Sequence, residues 1–293
     1  MKTLILYNPI SGYGLAESKA QELSPIYEEM GTVTILDITA VDDIATVISE
    51  YGKGDAVIIC GGDGTLNRFV YDTESIKPEC DILYCAVGTG NDFLRDIGKN
   101  VNDAPFSIKD YLRDLPIVEI DGVKCRFLNG IGYGIDGYCC EIGDAKKAAA
   151  PDKPVNYAAI AISGVLGKFK PRNAIVTVDG KEYKYDKVWI AATMHGRYYG
   201  GGMQCAPEQD RLAGDGINTL VVWHGSGKIK TLTRFSSIFK GEHVKYTDMI
   251  SIHKGHDITV RFDAPCPLQI DGETRLGVTE YKVSPGVRVG AEV

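Results

Sequence analysis

The amino-acid sequence predicts two domains of different class. The first, residues 1–116, is an α/β domain on a doubly wound, mostly parallel sheet; the second, residues 117–293, is a mostly antiparallel β-sandwich, with a cleft between them. Three observations predict this. A chain of 293 residues is long enough for two domains at about 150 residues each. The first part repeats strand, loop and helix, the pattern of a parallel sheet with helical crossovers. From Ile117 onward strand-like segments follow one another, several alternating apolar and polar residues as antiparallel strands with one wet face do.

In the first domain Leu4–Tyr7 reads as the opening strand and Leu15–Met30 as the helix beyond its loop. Val33–Asp37 precedes a helix over Asp42–Tyr51, Ala56–Cys60 one over Thr65–Asp72, and Ile82–Val87 one over Asp92–Gly98. The strand AVIIC is apolar throughout, as a strand covered on both faces must be. Pro116 in RDLPIVEI breaks a helix-like segment and marks the hinge. Beyond it IVEID, KCRFLNG, NAIVTVDG, EYKYDKVWIAAT, INTLVVW, DITVRF and PLQIDGE read as strands, interrupted by helices near Val155–Phe169 and Ile229–Phe239. The tail YKVSPGVRVGAEV either ends the β domain or, over its last residues, returns to the first one.

Composition narrows the function. Hydrophobic content is 44% and charged content 24%, ordinary for a globular chain in water. No apolar run approaches the ~18–20 residues that span a bilayer. The start, MKTLILYNP, turns polar too soon for a signal peptide. The 8 cysteines follow no CxxC or zinc spacing and are expected to be reduced thiols of a cytoplasmic protein. A net charge of -7 argues against general nucleic-acid binding.

Three glycine-rich loops follow strands of the first domain: NPISGYG (Asn8–Gly14), GGDGTLN (Gly61–Asn67) and GTGND (Gly88–Asp92). In a parallel sheet such loops share the carboxyl edge, where open α/β sheets bind ligands. Glycine lets backbone N–H groups approach a ligand, and helix N-termini add donors and positive dipole, so the edge suits phosphates. The chain has neither GxxxxGK[ST] nor GxGxxG after its first strand, which argues against a P-loop NTPase and a Rossmann dinucleotide site. Asp63 would repel phosphate unless a cation stood between them. Mg²⁺, held by a carboxylate and substrate phosphates, fits that requirement.

GGDGTLN followed by GTGNDF resembles the diacylglycerol kinase catalytic family of lipid kinases, which includes sphingosine and ceramide kinases and bacterial soluble lipid kinases. NGIGYGIDG, HGRYYGGGMQCAP, GDGINTLVV and QIDGE follow in the family's order, so the resemblance covers most of the chain. It implies transfer of the γ-phosphate of ATP to a lipid hydroxyl, diacylglycerol ranking first. Asn8, Ser11 and Gly12 match the first nucleotide loop, and Thr39 a threonine of the nucleotide pocket. Gly61, Gly62, Asp63, Gly64, Thr65 and Asn67 match the central loop, and Gly88, Thr89 and Gly90 the third. Asp63 would act through Mg²⁺ or its bound water. Asp271 matches the base for the lipid hydroxyl, with Glu273 supporting the metal–water network. Asp271 is also open to a hairpin-turn reading, since Asp-Gly is a strong turn signal. Asp215, with the carbonyls of Leu212 and Ile217, matches a structural Mg²⁺ position and is equally open to a loop reading. Asn129 and Asp136 match polar positions near the cleft, or serve turn chemistry in a glycine-rich loop.

Two residues depart from the family pattern: Arg68 stands where glutamate usually follows GGDGTLN, and His195 where asparagine usually precedes GRYYGGGM. The expected partners are a membrane lipid substrate and a peripheral contact at the inner face of the membrane, with a homodimer left open. In GKIKTLTRFSSIFKGEHVKY, Lys228, Lys230, Arg234, Lys240 and Lys245 accompany an apolar stripe of Ile229, Leu232, Phe235, Ile238 and Phe239. That segment reads first as a helix packed on the β domain with a solvated basic face, and second as an interfacial helix. The competing functions are an NAD kinase, which shares GGDG, and a nucleotide- or lipid-binding protein without turnover.

Overall fold

The structure is a computed structural model that describes residues 1–88, 91–101, 103–150, 153 and 155–286. These fall into two compact units, Met1–Leu115 and Pro116–Gly286.

The first unit runs β1 (Lys2–Tyr7), α1 (Leu15–Glu28), β2 (Thr32–Asp37), α2 (Ile44–Ser49), β3 (Ala56–Gly61), α3 (Asp63–Asp72), β4 (Asp81–Ala86), α4 (Asp92–Asp96), β5 (Phe106–Ser107) and α5 (Lys109–Leu112). Its sheet has the order β2-β1-β3-β4-β5, parallel except for the short edge strand β5. Every residue of β3 is buried, which explains its unbroken apolar run. On α1, Ala16, Ala20 and Leu23 recur at helical spacing and form its buried face. The chain places β2 on one side of β1 and β3 on the other. The carboxyl ends of β1 and β3 therefore flank a topological switch point, the crevice where open α/β sheets bind ligands.

The helix expected over Thr65–Asp72 starts two positions earlier, at Asp63. The Gly62 carbonyl accepts the N–H groups of Thr65 (3.0 Å) and Leu66 (3.1 Å), which closes the first turn around the glycines. Gly64 is a poor helix former and hid that start in the sequence. The consequence is functional: Asp63 occupies the positive end of the helix dipole.

The second unit contains β6 (Ile117–Ile120), β7 (Val123–Arg126), β8 (Gly130–Gly134), α6 (Ile135–Ala149), α7 (Tyr157–Ser163) with a π-helical turn (Gly164–Lys168), β9 (Arg172–Val178), β10 (Lys181–Val188), β11 (Ile190–Met194), β12 (Asn218–Trp223), α8 (Lys228–Phe235), β13 (Ile250–Gly255), β14 (Ile258–Ile270) and β15 (Glu273–Ser284). All its strand pairs are antiparallel, in the order β13-β12-β11-β8-β14-β15-β6-β7, with β9 pairing both β10 and β14. ITVRF of the first segment and PLQI of the second belong to the single long strand β14, and DGE turns the chain into β15. The first part of β14 pairs with β9 and its last part with β8, and register shifts between them let it change partners. The core holds Trp189, Trp223, Tyr281 and Leu268, and Tyr133 stacks on Phe262 at 3.9 Å.

The sequence did not predict two elements of this unit, α6 and β13. NGIGYGIDG is not a glycine-rich loop: Gly130–Gly134 is a fully buried strand that feeds directly into α6, a helix absent from the sequence reading. The misleading glycines sit where neighbours approach. A Cβ at Gly137 would lie 2.1 Å from the Pro267 carbonyl oxygen, and one at Gly143 2.5 Å from the Tyr157 ring. β13 is likewise an additional strand. The tail ends the β domain as β15 through Ser284, and the expected return beyond Gly286 lies outside the described residues.

Candidate active site

The three loops of the first unit interlock at the switch point. The Asn8 N–H donates to the Cys60 carbonyl (3.2 Å), and the Asn8 carbonyl accepts the Ser11 N–H (3.0 Å). The hydroxyls of Ser11 and Thr65 are hydrogen-bonded at 3.0 Å, joining the first loop to the second. Gly12 has φ 60° and faces the third loop so closely that a Cβ would meet Val87 Cγ1 at 2.8 Å. Only glycine satisfies both conditions. A Cβ at Gly61 would lie 2.3 Å from Thr65 Oγ1, which ties the end of β3 to the start of α3. A Cβ at Gly64, in contrast, would meet nothing within 4 Å among the described residues outside its own turn of helix. Asn67 lies half-buried further along α3. Thr39 follows β2 and donates from its N–H and hydroxyl to Asp37 Oδ1, both at 2.7 Å.

Asp63 is the acidic member of this edge. Its carboxylate accepts the N–H groups of Asp92 (2.6 Å) and Phe93 (3.3 Å), the first residues of α4. The α3 aspartate therefore caps a second helix and fixes the far end of the third loop. Within that loop Asn91 Nδ2 donates to the Gly88 carbonyl at 2.7 Å, while Asn91 Oδ1 is buried and meets no donor among the described residues. The sequence reading did not single out Asn91, although it stands inside GTGND. Thr89 and Gly90 lie outside the described residues.

Asp271 and Glu273 belong to the second unit. Asp271–Gly272 is the two-residue turn between β14 and β15, both residues with positive φ (48° and 96°), so the hairpin reading of Asp-Gly holds. The side chain does more than turn the chain. Its carboxylate accepts consecutive N–H groups of Leu128 (2.5 Å), Asn129 (2.8 Å) and Gly130 (2.9 Å). Burial pushes the carboxyl above its ordinary range, against the opposing pull of those three N–H groups and of the Arg211 guanidinium. Arg211, another residue the sequence reading missed, donates to the Leu128 carbonyl (3.2 Å) and to Asn129 Oδ1 (2.9 Å). A lone arginine in a loop carries no sequence signal for that role. Glu273 is exposed at the start of β15, opposite Ile270.

Asn129 and Asp136 are both buried, and neither serves a turn. Asn129 bonds Arg211, and its carbonyl accepts the N–H groups of His195 and Gly196, both at 2.9 Å. Asp136 lies in the first turn of α6 and accepts the Tyr199 hydroxyl. Burial lifts its carboxyl to about 7, and the Tyr199 hydrogen bond opposes that rise. Tyr199 comes from the GRYYGGG segment, so the fourth motif of the chain folds against the third.

The Asp215 loop is exposed. Asp215 Oδ1 accepts the Ile217 N–H (3.0 Å), the Asp215 carbonyl accepts from His256 Nε2 (2.8 Å), and the Ile217 carbonyl accepts from Gln209 Nε2 (2.9 Å). No group of three or more His, Cys, Asp or Glu side chains forms a metal cluster among the described residues. A site of one carboxylate and two carbonyls falls outside that pattern and is the donor set of a hard cation.

Arg68 pairs within its own helix, Nε to Asp72 Oδ2 at 3.2 Å. The basic segment is a helix only through Phe235 and continues as a 3₁₀ turn to Lys240. Its apolar stripe is divided: Leu232, Phe235 and Ile238 pack on the β core, whereas Ile229 and Phe239 face solvent.

Comparison with known proteins follows the same division of the chain. Residues 2–121 match the family model described as diacylglycerol kinase catalytic domain, and residues 129–288 the one described as YegS C-terminal NAD kinase beta sandwich-like domain. The chain is 27% identical over 284 residues to a diacylglycerol kinase of Mycobacterium tuberculosis, covering 91% of this chain and 90% of that protein. A diacylglycerol kinase of Bacillus subtilis is 24% identical over 279 residues, covering 92% and 88%. Among solved structures, a diacylglycerol kinase from Bacillus anthracis has the same fold, with a TM-score of 0.63 at 18% identity over 98% of this chain and 94% of that one. Yeast NADH kinase complexed with NADH is more distant, with a TM-score of 0.50 at 12% identity over 99% of this chain and 80% of that one.

Proposed function

The chain belongs to the diacylglycerol kinase catalytic family, and from that premise we propose that it is an ATP- and Mg²⁺-dependent lipid kinase that converts diacylglycerol to phosphatidic acid. The observation that carries the nucleotide part is the meeting of three glycine-rich loops at the β1/β3 switch point, with space left open beside Gly64. A glycine inside a helix costs up to about 1 kcal/mol against alanine. No described residue fills the space beside Gly64, which leaves room for a phosphate to approach the backbone. The buried Asn91 Oδ1 offers an acceptor to a ribose hydroxyl or adenine amino group.

In this reading Asn8, Ser11, Gly12, Thr39, Gly61, Gly62, Gly64, Thr65, Asn67 and Gly88, with Thr89 and Gly90, form the nucleotide site. Asp63 would hold Mg²⁺ together with phosphate and water oxygens, since Mg²⁺ commonly takes one or two carboxylates beside substrate phosphates. When bound, Mg²⁺ neutralises the charge that builds on the transferring phosphoryl group. Asp271 accepts the proton of the lipid hydroxyl as its oxygen forms the new bond to the γ-phosphorus and ADP leaves. The three N–H groups fix the direction of its carboxylate, and burial makes it a stronger base than a solvated aspartate. Glu273 orders water beside it. Asp215, with the carbonyls of Leu212 and Ile217, is proposed as a structural cation site. The protein works as a peripheral enzyme at the inner face of the membrane.

The test is transfer of labelled γ-phosphate from ATP with Mg²⁺ to a mixed-lipid micelle panel, with NAD as a separate arm. Labelled phosphatidic acid, lost in Asp63→Ala and Asp271→Ala, is the expected result. Another labelled lipid would keep the chemistry and change the acceptor. Labelled NADP would replace the reading with an NAD kinase, and ATP binding without transfer would leave a binding protein.

A further inference from the structure

The segment Leu128–Gly130 at the head of β8 meets partners from three other parts of the second unit. All three of its N–H groups point at one side chain, Asp271. Its carbonyls are taken as well. That of Gly130 accepts the Asp271 N–H at 3.0 Å, and that of Asn129 accepts the N–H groups of His195 and Gly196. The Leu128 carbonyl accepts from Arg211 at 3.2 Å, and the Asn129 side-chain oxygen from the same guanidinium at 2.9 Å. Leu128 and Asn129 are buried, and Arg211 is half-buried. Of the groups named, Arg211 is the one side chain that reaches the segment from outside the Asp271 turn. Its fork spans two consecutive residues, which the compact ammonium of a lysine cannot do. The loop that carries it is itself pinned. Just before it the buried Gln209 accepts the Thr219 hydroxyl and donates to the Ile217 carbonyl at 2.9 Å. The Asp210 carboxylate accepts the Leu212 N–H at 3.0 Å and closes a tight turn around Arg211. Arg211 thus stands on a fixed base and holds the far side of the amides that aim the Asp271 carboxylate.

We propose that Arg211 is a positioning residue for Asp271: it fixes Leu128 and Asn129 so that their N–H groups, with that of Gly130, hold the carboxylate in one direction. The inference deepens the lipid-kinase reading and rests on it for the reaction that Asp271 serves. In this assignment Arg211 touches no reacting atom. Its effect falls on the step in which the lipid hydroxyl gives up its proton and not on nucleotide binding, since the glycine-rich loops belong to the first unit. Orientation at this level is costly to lose: a displacement of about 1 Å at a reacting group can lower a rate about 100-fold. Asn129 is the second member of the device, because it presents an N–H to Asp271 and an oxygen to Arg211.

Steady-state kinetics with ATP and a water-soluble short-chain diacylglycerol, together with amide hydrogen exchange, test this on the full chain. Arg211→Ala is expected to lower kcat about 10- to 100-fold with KM for ATP unchanged. Arg211→Lys should recover only part of that loss, because its ammonium lacks the fork. Added ethylguanidinium ion should restore activity to Arg211→Ala and not to Asp271→Asn. In Arg211→Ala the amides of Leu128, Asn129 and Gly130 should exchange about ten-fold faster or more, the weight of a hydrogen bond from a charged donor. Those of β11 and β12 should keep their protection. An unchanged kcat in Arg211→Ala overturns the proposal. So does a rise in KM for ATP at constant kcat, which would place Arg211 at the nucleotide. Equal loss of protection in Leu128–Gly130 and in β11 and β12 also overturns it, since Arg211 would then serve only the stability of the unit. Arg211→Lys keeps the charge and much of the volume, so the test survives if Arg211→Ala does not fold; wild-type kcat and wild-type exchange in Arg211→Lys overturn the proposal. If the wild-type chain phosphorylates no lipid, the kinase reading falls and exchange alone decides. Faster Leu128–Gly130 amides then keep Arg211 as the support of Asp271, and unchanged ones remove it.

Discussion

Two Asp-Gly dipeptides carry the proposed chemistry, and the fold holds them in opposite ways. Asp63–Gly64 opens helix α3, and its carboxylate reaches across 29 and 30 residues to the first N–H groups of α4. Asp271–Gly272 turns a hairpin in left-handed backbone, and its carboxylate reaches across 141 to 143 residues to three consecutive N–H groups at the head of β8. The same dipeptide is thus a helix start in one unit and a strand reversal in the other. Each carboxylate is fixed by amides that only the tertiary fold delivers. The difference lies in what the fixing leaves over. Asp63 ties one glycine-rich loop to another and leaves open space at Gly64, which suits the proposed entry of a substrate. Asp271 is braced on several sides, which suits a base that must not swing.

The largest effects should come from removing these carboxylates. Asp271→Asn is expected to lower kcat by about 10²–10⁴ with little change in KM for ATP, the usual weight of a general base. Asparagine tolerates left-handed backbone, so the turn survives. Its amide nevertheless meets an N–H donor where a carboxylate oxygen stood, at a cost of about 1–3 kcal/mol in unfolding free energy. Asp63→Asn should also cost activity, but its hydrogen-exchange signature should differ. The Asp92 and Phe93 amides should exchange faster while those of Leu128–Gly130 stay protected. Equal loss of protection at both places would break the comparison.

Within the first site Gly61→Ala and Gly64→Ala separate packing from ligand space. The Gly61 change drives a methyl into Thr65 and should destabilise by about 1–3 kcal/mol in denaturant melts. The Gly64 change enters open space in a helix and should stabilise by up to about 1 kcal/mol while weakening ATP binding. Unchanged ATP affinity in Gly64→Ala would mean that the open space is not where the phosphates approach.

Asp136 sharpens the contrast among the carboxylates, because it is buried with a tyrosine and, among the described residues, no N–H donor tripod. Its folded pKa of about 7 lies above the unfolded value of about 3.9. The folded state therefore binds the extra proton between those values. The stability this contributes is complete below about pH 4 and is lost as pH rises through about 7. Asp136→Asn should flatten that slope in urea-unfolding midpoints measured across pH. Arg68→Glu is the smallest expected effect. It exchanges a half-buried i,i+4 pair for like charges at a cost of about 0.5 kcal/mol. Because Arg68 is tied to Asp72, KM for ATP should not change; a rise would show that Arg68 reaches the phosphates.

Much of the first unit was legible because a buried parallel strand and the helix after it leave strong local patterns. Ala56–Gly61 and Leu15–Glu28 stand within a few residues of where periodicity put them. The second unit was less legible where glycine served packing instead of turns. Gly132 accommodates Asp136 and Gln269, and Gly137 accommodates Pro267, so a buried strand and a long helix carried the composition of a loop. The apolar stripe of α8 was visible, but not which part of it the core would take.

The sequence by itself determined the two fold classes, the three loops after strands and the order of motifs that marks the family, since each is written in local spacing. The tertiary structure alone decided that Asp63 caps α4, that Leu128–Gly130 hold Asp271, and that Arg211 backs the same segment. It also decided which apolar side chains stay outside. The physical reason is common to all of these. A hydrogen bond between groups 29 or 143 residues apart, or a face left uncovered, depends on where strands place distant backbone, and periodicity along the chain carries no record of it.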